Sequence, residues 1–285
     1  MSKLVIGTAQ FGLNYGIFNK TEKTSSADIK NILNLANKNH INTLDTAFNY
    51  GSSEEVLGET GIDDFQVITK TSSLIHGVEN VIDSFYNSLE KLNKNDVYGL
   101  LIHNINEVTN KEFSRLYKCL TSLKKQGLIK KIGFSIYTPE QVDFLLDNFS
   151  FDLIQIPINV FDQRLINGGQ LIKLKNKGVE IHARSIFLQG VLLELNKIPH
   201  FFLEWNDHFQ MYKNELNKYS FLDSALGFVL NIDEIDKVVV GVNNSEQFEQ
   251  IIESSKKNIK FNVHTMKKFA IDDSNLLNPS NWNKE

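Results

Sequence analysis

The stretch INTLDTAFNYGSSEEVLGETGIDDFQVITK, residues 41–70, contains the pattern that decides the fold. Its first and last parts, INTLD and FQVITK, are short apolar runs with the composition of β-strands. Each run ends on a charged residue, Asp45 in the first and Lys70 in the second. If the two strands belong to a barrel-like parallel sheet, their carboxyl ends lie at one rim and bring the two charged side chains together.

Six further runs of this kind follow or precede that stretch, so that eight candidate strands alternate with segments of helical period. They are KLVIG (3–7), VYGLLIH (97–103), LIKKIGFS (128–135), FDLIQI (151–156), VEIHARS (179–185) and DKVVVG (236–241). Gly127 and Gly178 are typical of residues that end the intervening helices. The alternation predicts an α/β fold, a (β/α)8 TIM barrel in a single domain. An open doubly wound sheet is the alternative, but GTAQFG lacks the glycine spacing of a dinucleotide-binding turn.

The barrel is expected to occupy residues 1–272 and to be followed by a C-terminal extension, residues 273–285, whose Trp282 can dock on the protein. Between Phe187 and Asn231 no clean strand is present, and aromatic residues cluster there. We expect this interval to cover one side of the barrel mouth.

Composition excludes several classes of function. The 285 residues include 30 basic and 34 acidic ones, and the net charge of −4 argues against a nucleic-acid partner. Cys119 is the single cysteine, which excludes an internal disulfide and fits a reducing cytoplasm. No stretch approaches the roughly 18 consecutive apolar residues of a membrane helix, and no histidine pair has the spacing of a metal site. The chain length is compatible with a monomer but indicates no oligomeric state.

Four residues form the candidate catalytic group: Asp45, Tyr50, Lys70 and His103. Three of them end or follow a candidate strand, and Tyr50 lies on the loop after Asp45. A tyrosine can donate a proton to a carbonyl oxygen when a lysine ammonium lowers its pKa, and an aspartate can hold that lysine. A histidine can orient the carbonyl. No side chain supplies a hydride, so a nicotinamide cofactor is expected.

The chain, with the residues that carry this chemistry, resembles the aldo-keto reductases over nearly its whole length. LDTAFNYGSSEEVLG, the opening IGTAQFG and the closing VVVGVNNSEQFEQI are similar to segments of that family. The resemblance implies a catalytic tetrad of Asp45, Tyr50, Lys70 and His103, with Tyr50 as general acid. The cofactor-binding positions that it implies are Gly7, Thr8, Ser135, Gln155, Arg184, Ser185, Gly241, Asn243 and Gln247.

Three positions depart from the family pattern. Ile136 stands where an asparagine commonly follows the serine, and Arg184 stands where a tyrosine usually faces the nicotinamide. Arg184 can stack on a ring or reach a substrate anion, and the sequence leaves both open. Gln247 replaces an arginine that is frequent near the adenosine 2′-phosphate, where neutral donors and a helix N-terminus remain. Family habit nevertheless favours NADPH, with NADH as the alternative.

The predicted function is therefore reduction of an aldehyde, ketone or keto-sugar-like substrate to an alcohol, or the reverse reaction. Phe187, Gln189 and Trp205 follow the seventh strand and suit a hydroxylated, partly apolar ligand. A cofactor-binding regulatory subunit with little turnover is one alternative. A second is an aldolase-like barrel that uses Lys70 to form a Schiff base.

Overall fold

Eight parallel strands close into a barrel, which confirms the predicted fold. The structure is a computed structural model that describes residues 2–19, 22–216, 219–257, 259 and 263–282, without the side chains of residues 263 and 264. The strands are β1 (Leu4–Gly7), β2 (Thr43–Asp45), β3 (Gln66–Lys70), β4 (Val97–Ile102), β5 (Ile129–Ser135), β6 (Leu153–Pro157), β7 (Glu180–Arg184) and β8 (Lys237–Gly241). Each pairs with its neighbours in sequence, and β8 pairs with β1.

Helices follow the strands and surround the barrel. They are α1 (Ala9–Gly12), α2 (Ser26–Lys38), α3 (Ser53–Thr60), α4 (Val78–Leu92), α5 (Phe113–Lys125), α6 (Pro139–Asn148), α7 (Arg164–Asn167), α8 (Gln170–Asn176), α9 (Asn206–Leu216), α10 (Phe221–Leu230), α11 (Ser245–Lys256), α12 (Val263–Lys267) and α13 (Ser274–Leu277). Short 3₁₀ turns span Leu74–His76, Ile105–Thr109, Leu188–Leu193, His200–Trp205 and Pro279–Asn281. No helix in the described ranges is both long enough and apolar enough to cross a bilayer.

Local sequence explains where several helices begin and end. Thr138 and Gln141 form a reciprocal capping box at the start of α6, with Pro139 in the first turn. Gly127 and Gly178, just beyond α5 and α8, have φ angles of 82° and 72°. Only glycine adopts this left-handed region without strain, so both glycines end helices as predicted.

Strand register aligns the ends of the strands that carry the candidate site. Gly7 of β1 lies beside Asp45 of β2 and beside Gly241 of β8. Ser135 of β5 lies beside Gln155 of β6. The carboxyl ends therefore form one rim, where active sites of such barrels are built.

The apolar core has two parts. A large layer lies between the strands and the surrounding helices, whereas Ile68, Leu101 and Leu153 form a small cluster of their own with Tyr98 packed against it. The three aliphatic residues are fully buried. The barrel is thus a packed core, and a ligand is expected at its rim and not in a central channel.

The interval after β7 and the C-terminal segment pack against each other. The indole N–H of Trp205 donates to Asp273 at 3.0 Å, and the rings of Phe202 and Trp282 meet edge to face at 5.0 Å. Trp282 is buried and donates to the carbonyl of Leu276. The described part of this segment is therefore packed on the protein.

Candidate active site

Asp45 and Lys70 form a buried ion pair at the rim. The ammonium of Lys70 donates to Asp45 Oδ1 and Oδ2 at 2.9 and 2.8 Å and to the carbonyl of Thr46 at 2.9 Å. Both residues are no more than 3% exposed. Burial opposes the charge on Lys70, but Asp45 and Tyr50 outweigh it, so the pKa of the ammonium lies above its usual value. A permanently charged lysine is thereby fixed beneath the site.

The loop that carries Tyr50 is held by a buried hydroxyl network. Ser53 donates to the hydroxyl of Thr8 at 2.8 Å, and Thr8 donates to the carbonyl of Asp45 at 3.1 Å. Gly12 lies directly against this loop, since a Cβ added there would stand 1.8 Å from the carbonyl oxygen of Tyr50. The opening segment GTAQFG thus serves as a platform for the tyrosine loop.

Tyr50 lies between the lysine and the histidine. The Lys70 ammonium is 4.9 Å from the centroid of the Tyr50 ring, and the His103 ring meets that ring edge to face at 5.9 Å. Tyr50 and His103 are only partly buried, in contrast to the ion pair below them. The structure therefore brings all four predicted catalytic residues together, with the two partly exposed ones uppermost.

His103 is held neutral by its surroundings. Burial, together with the positive charges of Lys70 and Arg184, lowers the pKa of His103 to about 4. The backbone N–H of His103 donates to the Thr71 hydroxyl at 3.3 Å, which ties the end of β4 to the end of β3. A neutral imidazole can donate one hydrogen bond to a carbonyl oxygen without acting as a strong acid.

Ser135 and Gln155, two of the positions expected to bind the cofactor, are buried neighbours on β5 and β6. The side-chain amide of Gln155 donates to Asp45 Oδ1 at 2.7 Å. Gln155 thus also supports the aspartate from the far side of the barrel. Thr8 is fully buried, and its hydroxyl is bonded within the network around Tyr50.

At the end of β7, Arg184 reaches across the rim toward β5. Its guanidinium donates to the carbonyl of Ile136 at 2.9 Å and lies over the Tyr137 ring, 4.2 Å from the ring centroid. It also donates to the hydroxyl of Ser185 at 3.0 Å. Ser185 has a φ of 57°, and Asn159 donates to its carbonyl. An unfavourable backbone conformation is thus stabilised directly beside the arginine.

At the end of β8, the predicted residues surround the first turn of α11. The backbone N–H of Asn243 donates to Gln247 Oε1 at 3.0 Å, and Asn243 Oδ1 is buried without a partner among the described residues. Asn244 caps the helix by accepting from the Gln247 N–H. Asp28 of α2 accepts from the N–H and the hydroxyl of Ser245 at 3.3 and 3.4 Å. A carboxylate therefore already lies on this helix end.

Sequence reasoning missed Tyr15, Tyr137 and Asp28. Burial and the neighbouring Tyr50 raise the pKa of Tyr15 to about 12, although 40% of the residue is exposed. Gln189 donates to its hydroxyl at 3.3 Å. Tyr15 lies three residues after GTAQFG, and Tyr137 lies two residues after Ser135, so proximity to recognised positions was the available signal.

The three residues proposed to contact the substrate, Phe187, Gln189 and Trp205, have different surroundings. Gln189 lies near Tyr15, whereas Phe187 is only 8% exposed and Trp205 belongs to the packing of the C-terminal segment. In the described part of the chain, no cluster of three His, Cys, Asp or Glu side chains is arranged to hold a metal ion. Lys70 is charged and bonded to three oxygens, which disfavours its use as a Schiff-base nucleophile because that role needs a neutral amine.

Comparison with known proteins agrees with the fold. Residues 3–269 match the Aldo/keto reductase family. The holo form of aldo-keto reductase AKR11C1 from Bacillus halodurans has a TM-score of 0.78 at 18% identity, covering 95% of this chain and 92% of that one. A protein of Pseudomonas aeruginosa described as an aldo-keto reductase has a TM-score of 0.69 at 20% identity, covering 91% of each chain. No curated protein matches the chain with significance.

Proposed function

The chain belongs to the aldo/keto reductase family, and on that premise we propose that it reduces a carbonyl compound with a nicotinamide dinucleotide, Tyr50 being the general acid. The substrate is an aldehyde, a ketone or a keto-sugar-like compound, and the reverse oxidation uses the same groups. The observation that carries the proposal is the position of Tyr50 above the buried Lys70–Asp45 pair. We further propose a cytoplasmic location, which a single free cysteine supports.

Each residue of the tetrad has a separate task. Asp45 holds Lys70 charged and in place, and the ammonium favours loss of the Tyr50 proton as the carbonyl oxygen becomes negative. Neutral His103 orients that oxygen through a hydrogen bond. The bound dinucleotide supplies the hydride. In the reverse direction Tyr50 accepts the proton of the alcohol.

The residues at the rim fit a nicotinamide dinucleotide in their chemistry. We propose that Ser135 and Gln155 bind the carboxamide, with Gly7, Thr8, Arg184 and Ser185 around the ring. We assign Gly241, Asn243 and Gln247 to the adenosine end. An orphaned acceptor, Asn243 Oδ1, is consistent with a ligand that brings a donor to this end.

Two observations bear on which dinucleotide is used. The family resemblance favours NADPH, and NADPH is our proposal on that ground. NADH is the alternative that the first turn of α11 favours, because Asp28 and the orphaned Asn243 Oδ1 both suit a ribose hydroxyl better than a phosphate. Dissociation constants of NADPH and NADH, measured by quenching of intrinsic fluorescence, decide between them.

Asp28→Asn is expected to shift this preference toward NADPH. Removing the carboxylate takes a like charge away from any 2′-phosphate at α11, so the affinity ratio of NADPH to NADH should rise by roughly two- to fivefold. Asp64→Asn is the matched control, since Asp64 is exposed and precedes β3 at the other end of the barrel. An unchanged ratio in Asp28→Asn would exclude Asp28 from cofactor selection.

The function itself is tested with the purified wild-type protein. We expect one dinucleotide to bind and to be oxidised when a panel of aldehydes, ketones and keto-sugars is added. Failure of both dinucleotides to bind contradicts the proposal. Tight binding without turnover of any substrate would instead favour a regulatory subunit.

A further inference from the structure

Arg184 is a cation at the rim that forms no ion pair with any acidic side chain in the described ranges. Lys70, the other cation there, is paired with Asp45 through both carboxylate oxygens. His103 is neutral near pH 7 because its pKa is lowered to about 4. No carboxylate among the described residues forms an ion pair with Arg184, whose side chain donates only to a carbonyl and a hydroxyl. The rim therefore has a local excess of one positive charge, centred on Arg184.

Arg164, which lies near Arg184, is an arginine with a structural role, and its charge is paired. Arg164 donates to the carbonyl of Tyr137 at 3.2 Å and is neutralised by Asp162, to which it donates twice at 2.8 Å. Both arginines thus reach the same turn after β5, but of the two only Arg164 has a counter-ion within the part of the chain that the structure describes. A half-buried cation without one is costly, and that cost is offset when an anion binds.

The guanidinium is also fixed before any ligand arrives. Tyr137 covers one of its faces, and the bonds to Ile136 and Ser185 fix its direction. These two bonds use two of the five N–H donors of an arginine. The remaining donors can bind a carboxylate or phosphate in a planar fork with little further loss of side-chain freedom.

The guanidinium of Arg184 reaches the strand next to the one that carries His103, because it donates to the carbonyl of Ile136, directly after β5. Strand β5 pairs with β4, with Phe134 beside Ile102. The charge of Arg184 also acts to lower the pKa of Tyr15, which Tyr50 acts to raise. His103 likewise feels the charge of Arg184. A ligand with its carbonyl at Tyr50 can therefore present a second group to Arg184.

We propose that Arg184 anchors an anionic subsite, so that the substrate is a carbonyl compound that also carries a carboxylate or phosphate group. This inference rests on the proposed carbonyl reduction and specifies its substrate class. A guanidinium beside an oxidised, positively charged nicotinamide would be repelled, and a substrate anion between them removes that repulsion.

Two aldehydes of matched shape test the subsite: 4-carboxybenzaldehyde and its methyl ester, 4-(methoxycarbonyl)benzaldehyde. With the preferred dinucleotide, the wild-type protein is expected to favour the acid in kcat/KM by roughly tenfold or more. In Arg184→Gln this ratio should fall toward one. Arg184→Lys should retain part of it, because the charge remains while the planar fork is lost.

Binding of the product analogue 4-carboxybenzyl alcohol to the protein–dinucleotide complex, measured by calorimetry, separates this inference from the proposed function. It is expected to weaken by a similar factor in Arg184→Gln, whether or not turnover is seen. Equal kcat/KM values of the wild-type protein for the acid and the ester would contradict the anionic subsite. So would an Arg184→Gln variant that weakens dinucleotide binding but keeps the wild-type preference for the acid over the ester, which would restrict the role of Arg184 to the cofactor.

Discussion

Charged residues lie at both ends of the barrel interior, but in the described ranges they are paired with opposite charges at one end and only in part at the other. Strand β7 contributes residues to both ends. Glu180, His182 and Arg184 alternate along this strand, from its start to its end. At the start, Glu180 accepts from His182 at 2.6 Å and from Tyr98 at 2.7 Å, and it pairs with Lys131. At the end, Arg184 has no acidic partner among the described residues.

This difference separates stability from function. Around Glu180 each charge is balanced within the protein, as expected for the amino-terminal face of such barrels. At the carboxyl-terminal rim, the balanced Asp45–Lys70 pair lies underneath and partly exposed groups lie above it. Changes at the lower cluster should therefore lower stability and leave turnover intact, whereas changes at the rim should lower turnover, with a loss of stability as well where they leave a buried charge unpaired.

Lys70→Met should have the largest effect on the rim. The loss of the ammonium is expected to lower kcat/KM by about a thousandfold or more, since proton delivery by Tyr50 depends on it. It also leaves Asp45 as an unpaired buried charge, which should cost about 3–5 kcal/mol of unfolding free energy. The double variant Asp45→Asn with Lys70→Met should recover stability in a denaturant titration without recovering activity. Recovery of both would show that the pair is only structural.

Gly12→Ala should impair the rim without touching a catalytic side chain. The added methyl group would clash with the carbonyl of Tyr50, so the tyrosine loop must shift. A displacement near 1 Å is expected to lower kcat by about a hundredfold. Gly168→Ala is the matched control, because its methyl group would clash with the movable end of the Gln170 side chain and otherwise meet the carbonyl oxygen of Arg164 at 3.2 Å, away from the tyrosine loop. Equal activity of the two variants would contradict the platform role of Gly12.

Glu180→Gln tests the lower cluster. It leaves Lys131 without its counter-ion, and we expect a loss of about 1–3 kcal/mol in unfolding free energy. The kcat/KM of the folded protein should stay at the wild-type value, because Glu180 lies at the other end of the barrel. A large fall in kcat/KM with unchanged stability would reverse the assignment of the two ends.

The contributions of the two ends to the unfolding free energy should also depend differently on pH. The pKa of His103 falls from 6.5 to about 4 on folding. The neutral imidazole therefore contributes to the unfolding free energy in full above pH 6.5, and this contribution is lost as the pH falls toward 4. Burial would raise the pKa of Glu180, but bonds from His182, Lys131 and Tyr98 lower it from 4.5 to about 2. Its contribution is therefore lost between pH 4.5 and 2. Unfolding free energies of His103→Asn and Glu180→Gln against pH should each lack the corresponding slope, and identical slopes would contradict these assignments.

The fold was predictable because each strand is an apolar run of its own, bounded by helical segments. The run INTLD (41–45) was predicted two residues too long, since only Thr43–Asp45 pair in the sheet. Asp45, Lys70 and His103 were predictable as a group because strand ends in a closed parallel sheet meet at one rim.

The residues that sequence reasoning missed depend on loops and on distant contacts. Tyr15 lies on a loop, whose path has no periodicity to read. Asp28 meets Ser245 across 217 positions of the chain, and nothing local in α2 indicates that contact. Trp205 was predicted to contact a ligand because it lies in an aromatic-rich segment after the seventh strand, but its indole N–H donates to Asp273. Aromatic residues alone do not distinguish a binding loop from the packing of a terminal segment.

Proton delivery by Tyr50 is the central claim, and Tyr50→Phe tests it most directly. Dinucleotide affinity, from fluorescence quenching, and the single-turnover rate of aldehyde reduction should be measured on the same preparation. We expect the affinity to match that of the wild-type protein and the rate to fall by about a hundredfold to ten-thousandfold. A Tyr50→Phe variant that binds the dinucleotide and reduces the aldehyde at the wild-type rate would contradict the account.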